Sequence, residues 1–186
     1  MFLPTQIHLT LPPWVEELVD GSRRYVSDED RVGLAIALSR RNIEHGLGGP
    51  FGAAVFNAEG RVVSVGVNRV IPQTCSVAHA EMMAYMGAQQ RLASYRLNTD
   101  GGRYTLATSA QPCCQCYGAT VWAGVDELLI GARAEDVEDL TEFDEGPLPA
   151  DWIGELTSRG IAVRRDILRD EARDVLASYG ARGASY

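Results

Sequence analysis

Two short clusters of metal-binding and acidic residues constrain the fold of this chain more than any other feature. His79-Ala80-Glu81 stands at the start of one helical pattern, and residues 112–116, P-C-C-Q-C, open another. Cys113 and Cys116 are three residues apart, so both sulfurs lie on one side of a first helical turn. If the two clusters form one site, the fold must bring two helix starts side by side.

The residue types in these clusters predict a catalytic zinc centre. Zinc prefers imidazole and thiolate ligands, and a catalytic zinc takes three protein ligands and keeps one position for water. A helix amino terminus favours thiolates, and Pro112 suits a first helical position because it has no N–H to leave unpaired. We therefore expect His79, Cys113 and Cys116 to hold one Zn²⁺ per chain.

Glu81 is predicted to be a catalytic acid and base, and not a zinc ligand. It lies two residues from His79, close enough for its carboxylate to reach a metal-bound water, whose pKa zinc can lower toward about 7. It would take the water proton and deliver it to the substrate. Backbone groups near Ala80 and Cys113 would hold the developing tetrahedral centre.

A structural zinc knuckle or a set of buried thiols is the alternative interpretation of the same residues. A structural site usually recruits four protein ligands, and it would gain nothing from Glu81. Cys114 points around the helix from its neighbours, so we expect a packed thiol there. Cys75 is expected to be a structural cysteine in a loop.

Composition limits the classes of function that remain. The 186 residues fit one domain, for which we predict an amino-terminal arm at 1–26 and a zinc-dependent domain at 27–186. All 17 basic residues are arginine, which excludes Schiff-base lysine chemistry and a phosphate-loop lysine. The net charge of −8 argues against a nucleic-acid partner, whereas a small neutral ligand fits.

The chain shows no sign of export or of a membrane partner. No run approaches the roughly 18 to 20 apolar residues of a membrane span, and the first residues do not form a secretory leader. Clustered cysteines without an export signal indicate metal binding or catalysis in a reducing compartment. We expect a cytoplasmic protein.

The hydrophobic pattern predicts alternating helices and strands after a hairpin. Ser27 and the three acids that follow it indicate a helix start, and Gly46 ends that helix. Residues 135–149 are expected to be an acidic connection. Strands are predicted at 51–56, 61–67, 103–109, 126–132 and 161–164, and further helices after Pro13, at 77–92, at 112–123, near Asp151 and at 167–179. This order implies an α/β fold with a mixed sheet covered by helices on both sides.

The H-x-E and P-C-x-x-C clusters together are the signature of zinc nucleobase deaminases, and the chain resembles the cytidine deaminase-like superfamily. More narrowly, it is similar to the bacterial guanine deaminases. The resemblance is carried by G-P-F-G-A-A at 49–54, Asn68, T-S-A-Q-P-C at 108–113, G-A-T-V-W-A-G at 118–124 and F-D-E-G-P at 143–147. It implies a three-layer α/β/α fold with a central five-stranded mixed sheet.

The resemblance also implies roles in binding the substrate. Asn68 would read the edge of a purine, although Asn is also common where a strand meets a loop. Glu145 would be a second acid that contacts the base, although an acidic loop is usually solvated. Phe51 and Trp122 would enclose the ring, with core packing as the alternative. Ser109 is also expected to bind the substrate.

Two residues depart from the family pattern. Gln111 stands where the family commonly has Glu, and Glu142 takes the place of a usual Gly. A neutral amide at position 111 changes the electrostatics beside the thiolates. A side chain at position 142 alters the backbone that carries Glu145.

The resemblance predicts a hydrolytic deaminase that converts guanine to xanthine plus ammonia and that also accepts aminotriazines such as ammeline. Deaminases of tRNA or of adenosine, cytosine or guanosine nucleosides share the motif and form one alternative. A non-catalytic zinc-stabilised binding module is another. The resemblance further implies a homodimer in which residues 180–186 close the partner's site, unless that tail is disordered.

Overall fold

A five-stranded mixed sheet forms the centre of the molecule, in a computed structural model that describes residues 3, 5–46 and 48–183. Its spatial order is β2-β1-β3-β4-β5; β1 is antiparallel to β2 and β3, and β3, β4 and β5 are parallel. The strands are β1 Gly52–Asn57, β2 Val62–Val67, β3 Tyr104–Ala110, β4 Glu127–Ala132 and β5 Ala162–Arg164. The predicted five-stranded mixed sheet is confirmed.

Helices cover both faces of this sheet. The long helix α2 and the final helix α8 pack on one face, while α4 packs on the other with α5 beside it. The helices are α1 Trp14–Leu18, α2 Asp28–Glu44, α3 Val70–Gln73, α4 Ala80–Leu92, α5 Cys114–Ala123, α6 Ala134–Leu140, α7 Trp152–Thr157 and α8 Arg169–Gly180. None of these helices combines the length and apolar composition of a membrane span.

The alternation of side chains along the strands produces two cores. In β1, Ala54 and Phe56 belong to the cluster that includes α2 and α8, whereas Ala53 and Val55 belong to the cluster that includes α4. Successive strand residues point to opposite faces, so a strand buried on both sides is apolar throughout. These two cores make the predicted three-layer arrangement.

The start of α4 is pressed directly against β2. Gly66 in β2 lies so close to α4 that a Cβ there would stand 1.9 Å from the backbone oxygen of Ala80. Only glycine permits this approach of two backbones. The first turn of α4, which carries Glu81 and follows His79, is therefore positioned by the sheet.

The segment predicted as an acidic connection contains a helix. Helix α6 occupies its first part, and the backbone N–H of Arg133 donates to Asp136 Oδ2 at 2.9 Å. Acids in a first turn stabilise a helix, which explains why a pattern that resembles a solvated loop forms α6. The single turn α3 and a short 3₁₀ helix, Leu97–Asp100, were not predicted either.

The amino-terminal arm is packed onto the rest of the chain. Trp14 and Val15 are buried in the core, and the Trp14 ring stacks on His45 with centroids 5.5 Å apart. Arg69 Nε donates to the backbone oxygen of Thr10 at 3.2 Å. These contacts join the arm at 1–26 to the predicted domain at 27–186. The boundary predicted between residues 26 and 27 stays a prediction.

Candidate active site

The starts of α4 and α5 meet beside the sheet and bring the two sequence clusters together. His79 immediately precedes α4, and Cys113 immediately precedes α5. The Nδ1 atom of His79 lies 3.5 Å from Cys113 Sγ and 3.6 Å from Cys116 Sγ. The convergence that the sequence required is therefore present.

These three side chains fit a metal ion. Their ligand atoms lie within 4.8 Å of one another, close enough to bind one ion together. One imidazole and two thiols form a set that suits zinc, and three protein ligands leave a fourth position open for water or substrate. The hydrogen bond with the Cys113 sulfur raises the pKa of His79.

The two sulfurs titrate as a pair. A hydrogen bond from the Cys116 thiol lowers the pKa of Cys113 to about 4, and the hydrogen bond with His79 acts in the same direction. The same bond to Cys113, together with burial, raises the pKa of Cys116. Cys113 therefore loses its proton more readily than Cys116, and a bound metal would hold both thiols deprotonated.

Glu81 is buried beside the three candidate ligands. Only 6% of its surface is exposed, and its side chain lines the same cavity as His79 and Cys113. Burial raises the pKa of Glu81 to about 7, and the negative charge of Cys113 acts in the same direction. A carboxyl group in such surroundings can exchange a proton near neutral pH.

Two of the candidate ligands, His79 and Cys113, line a cavity of about 490 Å³, a volume in the usual range for a small-molecule site. Its lining includes three residues that the sequence predicted to bind substrate or move protons beside the metal ligands: Phe51, Asn68 and Glu145. The two departures from the family pattern, Gln111 and Glu142, line it too. Residues distant in the sequence therefore share one cavity.

Asn68 has a fixed orientation at the end of β2. Its Oδ1 accepts hydrogen bonds from the backbone N–H groups of Gly49 and Val70, both at 3.3 Å. Asn42 in α2 donates from Nδ2 to the backbone oxygen of Asn68 at 3.0 Å. The Asn68 side chain is thereby held against the cavity by two segments of the chain.

Glu145 reaches the cavity on the loop that follows α6. Its backbone oxygen accepts from the N–H of Cys114 at 2.9 Å, which connects this loop to the first turn of α5. Gly146 has a φ of +68°, and a Cβ there would stand 2.6 Å from Cys114 Sγ. Burial raises the pKa of Glu145 to about 8, and the negative charges of Cys113 and Glu81 act in the same direction.

Aromatic side chains form one wall of the cavity. The rings of Phe51 and Phe143 lie 5.3 Å apart, and Phe143 stacks on Tyr179 of α8 at 5.7 Å. Phe51 and Phe143 line the cavity themselves. A planar heterocycle can pack against such a wall.

The structure places three of the predicted substrate-binding residues outside the cavity lining. Trp122 is 77% exposed and lies outside the cavity lining, because the face of α5 that carries it points away from both the cavity and the core. Ser109 is buried in β3, where its Oγ accepts from the N–H of Gly52 at 3.1 Å. The Ala80 side chain is buried outside the lining, and the role predicted for the backbone near Ala80 stays a prediction. Cys114, expected to be packed, is exposed and lines the cavity.

Sequence reasoning assigned no role to Asn42 or Gln115. Asn42 follows Ser39 by one helical turn on the buried face of α2, and a polar residue on an apolar face is a detectable signal. Gln115 lies between the two cysteines and lines the cavity. No pattern in the sequence distinguishes Gln115 from a solvated helix residue.

Comparison with known proteins agrees with this geometry. The family model described as the cytidine and deoxycytidylate deaminase zinc-binding region matches residues 26–132, which include both clusters. The chain belongs to this family. Its members are deaminases, and the cluster of His79, Cys113 and Cys116 falls within the matched zinc-binding region.

Solved and curated relatives extend the likeness beyond the matched region. Guanine deaminase from Nitrosomonas europaea is 42% identical, with a TM-score of 0.91 over 97% of this chain and 100% of that chain. A variant of NE0047 in complex with 8-azaguanine is 42% identical, with a TM-score of 0.90 over 95% of this chain and 98% of that chain. The tRNA-specific adenosine deaminase of Buchnera aphidicola is 30% identical over 70% of this chain and 79% of its own length.

Proposed function

We propose that this deaminase hydrolyses a purine-type base and that guanine, converted to xanthine plus ammonia, is its principal substrate. The observation that carries the proposal is the buried carboxyl of Glu81 beside a His/Cys/Cys cluster, at the base of a cavity of about 490 Å³. Three metal ligands and a carboxyl that is not one of them form a catalytic set, not a structural one.

His79, Cys113 and Cys116 would hold one zinc ion per chain. When bound, zinc supplies Lewis acidity that makes hydroxide available from water near neutral pH. A C–O bond forms at the amine-bearing carbon of the base, and the C–N bond breaks to release ammonia. Glu81 takes a proton from the attacking water, delivers it to a ring nitrogen and then helps to protonate the departing amine.

The other residues of the cavity would bind and orient the base. Asn68, held by Gly49 and Val70, presents its amide to the edge of the ring. Glu145 would accept an N–H of the base or help to move a proton, because its raised pKa lies near neutrality. Phe51 and Phe143 would pack against the ring.

The choice of guanine is supported by the relatives and by the composition of the cavity. The guanine deaminase that is 42% identical matches 97% of this chain. The related NE0047 variant binds 8-azaguanine. A cavity lined by Glu81, Glu145 and three side-chain amides offers partners for a base with both N–H and acceptor atoms. Ammeline has the same kinds of groups and is expected to be accepted as well.

A substrate panel tests this assignment. Purified zinc-loaded protein is incubated with guanine, guanosine, adenine, cytosine and ammeline, and ammonia release is measured. We expect the fastest release from guanine and slower release from ammeline. Absence of ammonia release from both guanine and ammeline would contradict the substrate assignment. Release from guanine without turnover of guanosine, adenine or cytosine would support it.

Deamination of tRNA is the second candidate, because a tRNA-specific adenosine deaminase is among the relatives. A tRNA ligand requires contacts to phosphates, and the net charge of −8 opposes them. A gel-shift titration with tRNA at moderate salt distinguishes the two, and we expect no shift. A third candidate, a non-catalytic zinc-binding module, predicts base binding without ammonia release.

We also propose that the protein is a cytoplasmic homodimer. The four described cysteines are free, as a reducing compartment requires. Trp122 is 77% exposed, which is unusual for so large an apolar side chain and is expected of a contact with a second copy. Exchange of residues 180–186 between subunits stays a prediction, and its last three residues lie outside the described part of the chain.

A further inference from the structure

Gln115 lines the cavity but has no role in the mechanism above. It is the second residue of α5, between the candidate ligands Cys113 and Cys116. It shares the cavity lining with Glu81 and Glu145. A base bound in this cavity can therefore contact its side chain.

The amide nitrogen of Gln115 is a buried donor without an acceptor. Its Nε2 is inaccessible to solvent and makes no hydrogen bond to any described part of the protein. A buried donor that lacks an acceptor destabilises the folded state, because it has lost its bonds to water and gained none. Such groups need an explanation, and in a cavity a ligand can supply the missing acceptor.

The rest of the cavity is rich in acceptors. The side chains of Glu81, Glu142, Asp144 and Glu145 are all carboxyl groups, which accept hydrogen bonds when ionised. When ionised, they bind the N–H groups of a heterocycle and cannot donate to its carbonyl oxygen or unprotonated ring nitrogens. Those atoms need a donor such as the Gln115 amide.

We propose that Gln115 is a substrate-binding residue whose Nε2–H donates to a carbonyl oxygen or ring nitrogen of the bound base. The inference rests on the proposed function, because it assumes that an aminated heterocycle enters this cavity. It adds a determinant of substrate binding on the helix that carries two of the metal ligands. Binding of the base would satisfy the donor that the ligand-free protein leaves unpaired.

Replacing Gln115 by Met tests the assignment, because Met has a similar length and no donor. The affinity for 8-azaguanine is measured by calorimetry in zinc-loaded Glu81→Gln protein, with and without Q115M, so that turnover cannot consume the ligand. We expect Q115M to weaken binding about tenfold. The midpoint of thermal unfolding without ligand should be unchanged or higher, because the variant removes an unpaired buried donor.

If Gln115 had only a structural role, Q115M would leave the affinity for 8-azaguanine unchanged and would lower the unfolding midpoint. Unchanged affinity, a lowered unfolding midpoint or loss of the zinc would each overturn the proposal. Q115E keeps the shape of the side chain and replaces its donor nitrogen by an oxygen, so it should weaken binding of 8-azaguanine at least as much as Q115M. If Q115M does not fold, the affinity of Q115E tests the proposal in its place. Q90M, the same change at an exposed glutamine of α4, is the matched control and should alter neither quantity.

The proposal can fail separately from the proposed function. If wild-type protein releases ammonia from guanine but Q115M binds 8-azaguanine as tightly as its parent, only the role of Gln115 is wrong. If wild-type protein neither releases ammonia from guanine nor binds 8-azaguanine, the purine assignment fails, and the role given to Gln115 fails with it.

Discussion

Asn42 connects the helix α2 to Gly49 and to Asn68, whose amide is proposed to face the substrate. Its Nδ2 donates to the backbone oxygens of Gly49 and Asn68, at 2.9 Å and 3.0 Å. The N–H of Gly49 in turn donates to the Oδ1 of Asn68. Asn42 is fully buried and does not line the cavity, so we expect it to act through Asn68 as a positioning residue.

We predict that Asn42→Ala impairs substrate binding more than turnover. Loss of the two buried hydrogen bonds should lower the free energy of unfolding by about 2 kcal/mol. KM for guanine should rise several-fold with a smaller change in kcat, because the Asn68 amide loses its fixed position. Urea denaturation and steady-state ammonia release measure the two effects.

Ser39→Ala provides the control for this prediction. Ser39 Oγ donates to the backbone oxygen of Pro50 at 2.5 Å from the same buried face of α2. Its loss should lower stability and leave KM unchanged. An Asn42→Ala protein with reduced stability and an unaltered KM would show that Asn42 is only structural.

Residues whose chemistry is fixed by local spacing could be predicted from the sequence. His79, Cys113 and Cys116 occur at helix starts, and the structure brings them together. The sequence does not fix how a helix is rotated against its neighbours. Trp122 was therefore placed in the site although it is exposed.

At the scale of elements, α6 and α8 are joined by a buried carboxylate. Asp136 has a side chain only 1% exposed, accepts from Arg169 Nε at 2.7 Å and pairs with Arg173 as well. Burial alone would raise the pKa of Asp136. Hydrogen bonds from Arg169 and the Arg133 backbone, with the charges of Arg169 and Arg173, outweigh burial and hold this pKa at about 2.

We predict that Asp136→Asn destabilises the protein in a pH-dependent way. The folded-state pKa lies about two units below the ordinary value of 3.8, which corresponds to about 2 kcal/mol of stability above pH 4. That stability is lost as pH falls from about 4 through 2, where wild-type Asp136 also becomes neutral. Urea unfolding of both proteins at pH 7 and near pH 2 should show a difference that shrinks on acidification, and an equal difference at both pH values would contradict this.

Most elements followed from the sequence, whereas α3, the 3₁₀ helix and α6 did not. Ser27 accepts from the Asp30 N–H at 3.0 Å and begins α2 as predicted, and Gly46 ends it with a φ of +63°. The acids that begin α6 have the same composition as a solvated loop. Their helix is stabilised by Arg169 and Arg173, which are distant in the sequence.

At the scale of the whole molecule, the exposed end of α5 is the region expected to contact a second copy. Trp122 is 77% exposed and Tyr95 is 82% exposed. Arg96 Nη1 donates to the backbone oxygen of Val121 at 3.4 Å, which joins the segment after α4 to the end of α5. Two large exposed aromatic residues on adjoining segments favour burial against another protein surface.

We predict that Trp122→Glu converts the dimer to a monomer. Sedimentation equilibrium should give about twice the chain mass of 20.2 kDa for the wild type and the chain mass for the variant. Val26→Glu is the matched control, because Val26 is also 77% exposed and lies outside this region, and it should remain dimeric. A monomeric wild type, or a dimeric Trp122→Glu protein, would contradict the role of this surface.

The three-layer fold could be predicted because a hairpin followed by alternating helices and strands leaves few ways to cover a mixed sheet. The contacts of the amino-terminal arm could not be predicted from the sequence. Trp14 stacks on His45 and Arg69 reaches Thr10, and no periodicity in the sequence reports contacts of this range.

Ammonia release from guanine by zinc-loaded wild-type and Glu81→Gln proteins tests the central claim most directly. Glu81 is buried beside the His/Cys/Cys cluster, and Gln keeps its size but can neither take nor deliver the proton. We predict that the variant keeps one zinc per chain and loses at least about 100-fold in kcat. A wild type that releases no ammonia, or a Glu81→Gln protein that turns over at the wild-type rate, would contradict the account.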